Sequence, residues 1–253
     1  MIIQRWIEIS KDPNSKEAMQ ARKNMLVAAR AKASISNRID YLCSIASGKD
    51  ILDIGVVDHS IDSKDKTYWL HGNLCKYAKT CLGVDILESE VEQLRREGFN
   101  VINVDLNKEV LSKSFDLIIC GDVLEHLNTP GNLIANAVKM LRKSGKLIVS
   151  VPNPWYINVV LKNTINGTPY LDNVDHVSWF DPCTICELGQ RYGLALNYFV
   201  GVHAYNTSNP LTRLLFSFSP LLISLGLRPE LFCKTIIYEF VRADEYEKAF
   251  AAN

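Results

Sequence analysis

The sequence predicts an α/β protein whose mostly parallel sheet carries helices on both faces, and three observations point there. Short apolar runs end in an acid or a glycine at Asp50-Ile-Leu-Asp-Ile-Gly55, at Cys81-Leu-Gly-Val-Asp85 and just before Asp105. Segments of helical spacing separate these runs, so strand and helix alternate at the pitch of a parallel sheet. The run from Phe115 to Cys120 is apolar except for Asp116 near its start, as expected of a strand covered on both faces.

Taken in order, residues 1–48 read as helical, through Ala-rich and Arg/Lys-rich runs near Ala18 to Ala33 and a periodic segment from Ile35 to Ala46. They are expected to cap the edge where the first strand ends. A long polar turn over residues 56–66 leads to a helix expected to start at Thr67 as cap, with Leu70, Leu74 and Ala78 on its inner face. Leu87, Val91 and Leu94 form the buried stripe of the next helix, which Gly98 ends before a third strand over residues 99–104. After strand four, Thr129-Pro130 opens a helix with Leu133, Ile134, Ala137, Val138 and Leu141 facing inward, closed by Arg142, Lys143 and Gly145. Strand five is expected over residues 146–151. Residues 152–180 form a long connection rich in Asn, Pro and aromatics, the kind of segment that often binds a ligand. Asp181-Pro182 opens a helix running to Gly193, and strands follow near residues 196–202 and 235–241. The pattern is that of one domain over residues 1–253. It comprises a cap (1–48), a core (49–202) containing the connection 152–180, and a last part (203–253) with a helical insertion and the final strand.

Composition narrows the function. Twenty-eight basic residues balance 28 acidic ones, which argues against a nucleic-acid surface. The seven cysteines are scattered, odd in number and mostly set in apolar runs, which suits reduced thiols in the cytoplasm. Cys183 and Cys186 form a Cys-x-x-Cys with no second pair to complete a zinc site. The amino terminus shows no apolar core of signal-peptide length. The uncharged run 214–227 falls short of the ~20 residues that span a bilayer and is interrupted by Pro220. It is expected to pack on the sheet, in preference to meeting a partner subunit or a lipid-linked substrate, though it allows peripheral contact with a membrane.

Gly55 allows a sharp turn out of the first strand with nothing to keep a ligand from the backbone. Asp85, an acid at the tip of the second strand, is suited to holding a ribose diol. A dinucleotide site would need Gly-x-Gly-x-x-Gly, and Gly55-Val-Val-Asp-His-Ser60 lacks it, so a nicotinamide oxidoreductase is disfavoured. His126, in Asp122-Val-Leu-Glu-His126, is a candidate general base, and so is His176, which Asp175 precedes. His59, His71 and His203 carry less weight. Trp155, Tyr156, Tyr170, Trp179 and Phe180 could line an acceptor site or simply fill the core.

The strand-end Asp53-x-Gly55, with Asp85, Asp105 and Asp122-Val-Leu-Glu-His126, resembles the class I S-adenosylmethionine-dependent methyltransferases over roughly residues 45 to 200. The runs Trp69-Leu-His71, Gly83-Val-Asp85-Ile86, Val151-Pro-Asn-Pro154 and His176-Val-Ser-Trp-Phe180 most resemble enzymes of surface-polysaccharide biosynthesis. Those in turn are similar to the ubiquinone-biosynthesis O-methyltransferases. The family's glycine-rich loop keeps only Gly55. The resemblance implies a Rossmann-like, seven-stranded sheet with one antiparallel strand near the carboxyl end, and S-adenosyl-L-methionine as cofactor. It implies cofactor contacts at Asp53, Gly55, Asp85, Ile86, Asp105, Leu106, Gly121 and Asp122, with Ile86 against the adenine face and Asp105 near its amino group. The expected reaction is O-methylation of a sugar or glycan precursor, with a quinone- or phenol-type acceptor as the alternative enzyme and a non-catalytic binding protein as the rival of another class. A magnesium-like cation on Asp122, Glu125 and His126 is weighed below metal-free catalysis, and no residue is assigned to a metal.

Overall fold

The computed structural model describes residues 5–58, 61–165, 169, 173–203 and 210–244. Helices α1 (Trp6–Ile9), α2 (Lys16–Ala29) and α3 (Arg38–Ala46) lead into β1 (Asp50–Ile54), α4 (Leu70–Tyr77), β2 (Thr80–Asp85), α5 (Glu88–Arg96), β3 (Val101–Asn103) and β4 (Phe115–Gly121). Then come α6 (Pro130–Met140), β5 (Leu141–Pro152), α7 (Ile157–Ile165), α8 (Pro182–Arg191), β6 (Leu194–His203), α9 (Pro210–Ser217), α10 (Ser219–Ser224) and β7 (Cys233–Arg242). The strands form a seven-stranded sheet of order β3-β2-β1-β4-β5-β7-β6. Strands β1 to β5 pair in parallel, and β7 runs antiparallel to both β5 and β6. The fold is the Rossmann-like one the sequence implied.

One core face gathers Leu52, Ile54, Ile118, Cys120, Val149, Tyr238 and Phe240 with α6 and α8, and the other gathers Ile51, Leu117, Ile119, Ile148 and Ile237 with α3 and α4. Alternate residues of β1 and β4 thus enter opposite cores. That is why Ile51-Leu52 of β1 and Leu117–Cys120 of β4 are apolar without alternation.

Local expectations shift in several places, and a helix, α7, occupies Ile157–Ile165 of the segment expected as a loop. Helix α4 begins at Leu70 rather than at Thr67, because the Trp69 indole is buried and donates Nε1–H to the Val56 carbonyl at 2.8 Å, fixing the chain one turn later. Helix α6 stops at Met140, and residues 141–145 already belong to β5, because Leu141 pairs with Phe115 of β4. Strand β3 shrinks to Val101–Asn103. Asp181 caps α8 as its sequence suggested, its carboxylate accepting the Cys183 and Thr184 N–H groups.

Among the described residues no helix is long and apolar enough to cross a membrane. In the run 214–227, the Phe216 ring is anchored against Tyr156, His203 and Phe232, while Leu214, Phe218, Leu221, Leu225 and Leu227 are exposed. The run therefore packs on the domain through one side alone. Leu221→Lys is expected to change folding stability by less than about 0.5 kcal/mol, as surface substitutions do. Denaturant titration checks this, and a larger loss would mean that Leu221 is covered in solution.

Candidate active site

The strand register sets three residues level at the carboxyl edge of the sheet. Ile54 pairs with Val84 and with Cys120, so the next residues along, Gly55, Asp85 and Gly121, fall in one row. Strand order reverses between β1 and β4, and a crevice outside such a switch point is where open α/β sheets bind ligands.

Each member of the row is shaped by its surroundings. Gly55 sits at φ +81°, and a Cβ there would meet Val123 Cγ2 at 2.4 Å. Gly55→Ala is expected to destabilise the fold by about 1–3 kcal/mol, since it combines left-handed backbone with a steric overlap. Adding Val123→Ala should recover the steric part only, and a Gly55→Ala protein with an unchanged urea midpoint would remove the constraint. Asp85 accepts the Val57 N–H at 3.0 Å and the Leu87 N–H at 3.1 Å, so its carboxylate is oriented by the loops on either side. Beside it Ile86 is 67% exposed, an apolar face left open at the edge. Asp105 lies after β3 and is partly engaged by Lys108 at 2.8 Å and by the Asn107 N–H. The hydrogen bond from Lys108 holds its carboxyl below the usual range. Leu106 is buried in the main core and its carbonyl accepts from Asn136.

Asp53 is turned inward: it is 2% exposed and its carboxylate meets His71 Nδ1 at 3.0 Å. A Cβ on Gly121 would lie 2.5 Å from the Arg38 guanidinium, so the glycine leaves room for that cation over the strand end. Arg38 opens α3, pairs with Asp122 at 2.5 Å, and has a buried Nε with no hydrogen-bond partner among the described residues. It is the residue that sequence reasoning missed. A single arginine at the start of a helix gives no local signal, and its partner lies 84 positions away.

Past β4 the chain makes a 3₁₀ turn, Leu124–His126. Asp122 stands outside that turn in left-handed backbone at φ 54°, with Ser150 and Arg38 as its neighbours. The expected grouping of Asp122, Glu125 and His126 on one side is therefore replaced by another. Glu125, His126 and His176 bring their ligand atoms within 4.8 Å of one another. The His126 and His176 rings meet edge to face at 4.7 Å, and His126 Nδ1 contacts Asp175 at 2.8 Å. The Glu125 carbonyl accepts the Val177 and Ser178 N–H groups, which draws residues 175–178 over the turn. Both candidate bases of the sequence thus share one site. Trp179 stacks edge-on to His176 at 6.2 Å, and both it and Trp155 are exposed, whereas Tyr156 and Phe180 belong to the core. Tyr170 and His59 lie outside the described residues. His203 lies apart, beside Phe216.

Fold and site together define an open α/β protein with Gly55, Asp85 and Gly121 in a row at its switch point and a histidine cluster beyond the end of β4. A family profile for a methyltransferase domain matches residues 27–198, and the chain belongs to that family. It is a class I S-adenosylmethionine-dependent methyltransferase. It is 25% identical over 175 residues to the ubiquinone biosynthesis O-methyltransferase of Coxiella burnetii (strain Dugway 5J108-111), covering 64% of this chain and 70% of that one. With the enzyme of the same name from Aeromonas salmonicida (strain A449) it shares 23% identity over 68% of this chain and 75% of the relative. Among solved structures, the magnesium protoporphyrin IX methyltransferase of Synechocystis PCC 6803, which holds bound SAH, superposes with a TM-score of 0.53. That likeness, at 17% identity over 94% of this chain and 93% of that one, is one of fold.

Proposed function

We propose that this chain transfers the methyl group of S-adenosylmethionine to a hydroxyl oxygen of a small acceptor, in the first instance a phenol-type ring. The observation that carries it is the Asp175–His126–His176 cluster standing just past the strand end that completes the Gly55, Asp85, Gly121 row. The crevice fits the cofactor by its own chemistry. It has a glycine cradle that a Cβ would fill, an oriented carboxylate, an open apolar face at Ile86 and a guanidinium with a spare buried donor. Asp85 would accept the ribose hydroxyls, Ile86 would flank the adenine, Asp105 would face its amino group, and Arg38 over Gly121 would meet the amino-acid carboxylate. When bound, the cofactor supplies a methyl group on a positively charged sulfur.

The protein's share of the reaction is then positional, plus one proton. His126, oriented by Asp175 at Nδ1, takes the proton of the acceptor hydroxyl through Nε2 as the oxygen attacks. The His176 ring packs on the imidazole edge to face, and the buried Glu125 carboxylate stands close by. The phenol reading is supported by the ubiquinone O-methyltransferases among the relatives. A sugar hydroxyl is the second reading, because the exposed Trp155 and Trp179 offer flat faces that pack equally well on sugar C–H surfaces. An assay of methyl transfer to catechols and to nucleotide sugars, read by mass spectrometry of the acceptor, decides between them. Turnover of catechols alone supports the first, turnover of sugars alone the second, and binding without transfer to either would sink the enzymatic reading of the cluster.

A further inference from the structure

A second cluster of reactive side chains lies behind the cofactor edge and takes no part in methyl transfer. His71, in the first turn of α4, is 1% exposed and stands between three partners. Its Nδ1 contacts Asp53 at 3.0 Å, its Nε2 contacts Cys75 Sγ at 3.5 Å, and Cys81 Sγ of β2 lies 3.7 Å from Nδ1. The ring is locked in place, since a Cβ on Gly83 would come within 2.6 Å of its Cε1 and the Trp69 ring packs edge-on at 5.5 Å. Carboxylate, imidazole and thiol thus form an ordered relay in which a carboxylate orients a base against a nucleophile. A second thiol stands beside the first, all ligand atoms of the histidine and two cysteines lying within 4.8 Å of one another.

We propose that Cys75 is an oxidation-sensitive thiolate whose reaction with hydroperoxides is resolved by Cys81 into an intramolecular disulfide. Both cysteines are half-buried, so a small peroxide can reach them, unlike the fully buried Cys43, Cys120, Cys186 and Cys233. Cys75 addresses Nε2 of the ring while Cys81 lies against Nδ1, so the two thiols meet the imidazole at different nitrogens. The same three residues place ligand atoms within 4.8 Å of one another, and metal binding is the rival outcome of the test below. The two thiols are also unequal. A hydrogen bond from Cys81, reinforced by His71, pulls the Cys75 thiol down to about 5, while the same bond, with burial, pushes Cys81 up. Against the effect of burial, the bonds to Asp53 and Cys75 raise His71 to about 9, so the ring is cationic and stabilises the thiolate beside it.

The chemistry balances in two steps. The Cys75 thiolate attacks one oxygen of the hydroperoxide, the O–O bond breaks, and the products are the sulfenic acid and hydroxide, or an alkoxide. Cys81 then attacks the sulfenic sulfur, the S–O bond breaks, and the hydroxyl leaves with the Cys81 proton as water. Sulfur is oxidised and the peroxide is reduced.

The test is peptide mapping of the purified full chain after limited hydrogen peroxide. The expected product is a Cys75–Cys81 linked peptide, lighter by two hydrogens and restored by dithiothreitol, while Cys183, exposed on α8, is still a thiol at the same dose. In Cys81→Ser, Cys75 should instead be trapped as a dimedone adduct. Haloacetamide labelling of reduced Cys75 should be nearly flat above about pH 6, whereas a free cysteine peptide gains about tenfold per unit until about 8.5. Oxidation of Cys75 no faster than Cys183, or a labelling profile like that of the free peptide, would overturn the proposal. So would stoichiometric zinc binding abolished in both Cys75→Ser and Cys81→Ser, which would make the cluster a metal site.

Discussion

Asp85→Ala is expected to weaken S-adenosylmethionine binding by about 100-fold or more. Hydrogen bonds to a charged group contribute roughly 1.5–3 kcal/mol each, so losing both ribose bonds costs at least two factors of ten at ~1.4 kcal/mol per tenfold. The structure adds a reason for a large effect. The same carboxylate accepts the Val57 and Leu87 N–H groups, so its removal also releases the loops on both sides of the crevice. Asp85→Asn keeps an acceptor for one of these N–H groups, which bind different oxygens, and should lose less than Ala. Titration calorimetry reads the difference, and an Ala variant with unchanged affinity would remove Asp85 from the ribose.

His126→Ala is expected to lower kcat by about 10²–10⁴, the usual range for losing a general base, with cofactor affinity nearly unchanged. Its side-chain contacts with Asp175 and His176 lie on the acceptor side. Running the assay with and without a chelator separates two uses of the site. Activity that ignores the chelator and collapses in the variant marks His126 as base. Chelator-sensitive activity would instead assign Glu125, His126 and His176 to a divalent ion, for which two imidazoles and a carboxylate suit a transition metal better than magnesium. Full activity in a folded His126→Ala would transfer the role to His176.

The sheet and the row of residues at its carboxyl edge were legible in the sequence because their signals are local. Continuous apolar runs mark strands buried on both faces, and an acid or a glycine at the strand tip marks where the chain must turn. What escaped reading depends on distance. Arg38 matters through Asp122 and Gly121, far along the chain. His71 gains its character from Asp53 and Cys81, neither of which is on its own helix. The displaced start of α4 follows from burial of Trp69, a tertiary event that overrides the capping preference of Thr67. Asp122 fell outside its expected group because its left-handed backbone precedes the 3₁₀ turn.

The strand order has a consequence for how the chain folds as it is made. Strand β6 never pairs with β5, and β7, which follows it by about thirty residues, lies between them. Until Cys233–Arg242 has emerged from the ribosome, β5 therefore presents an open edge and β6 has no full strand to pair with, only the isolated bridges from Arg30 and Ile35. The parallel half, β1 to β5, can begin to assemble early, but closure must wait for pairings distant in sequence. Truncation before β7 should therefore yield a chain that aggregates through β5 rather than a smaller soluble domain.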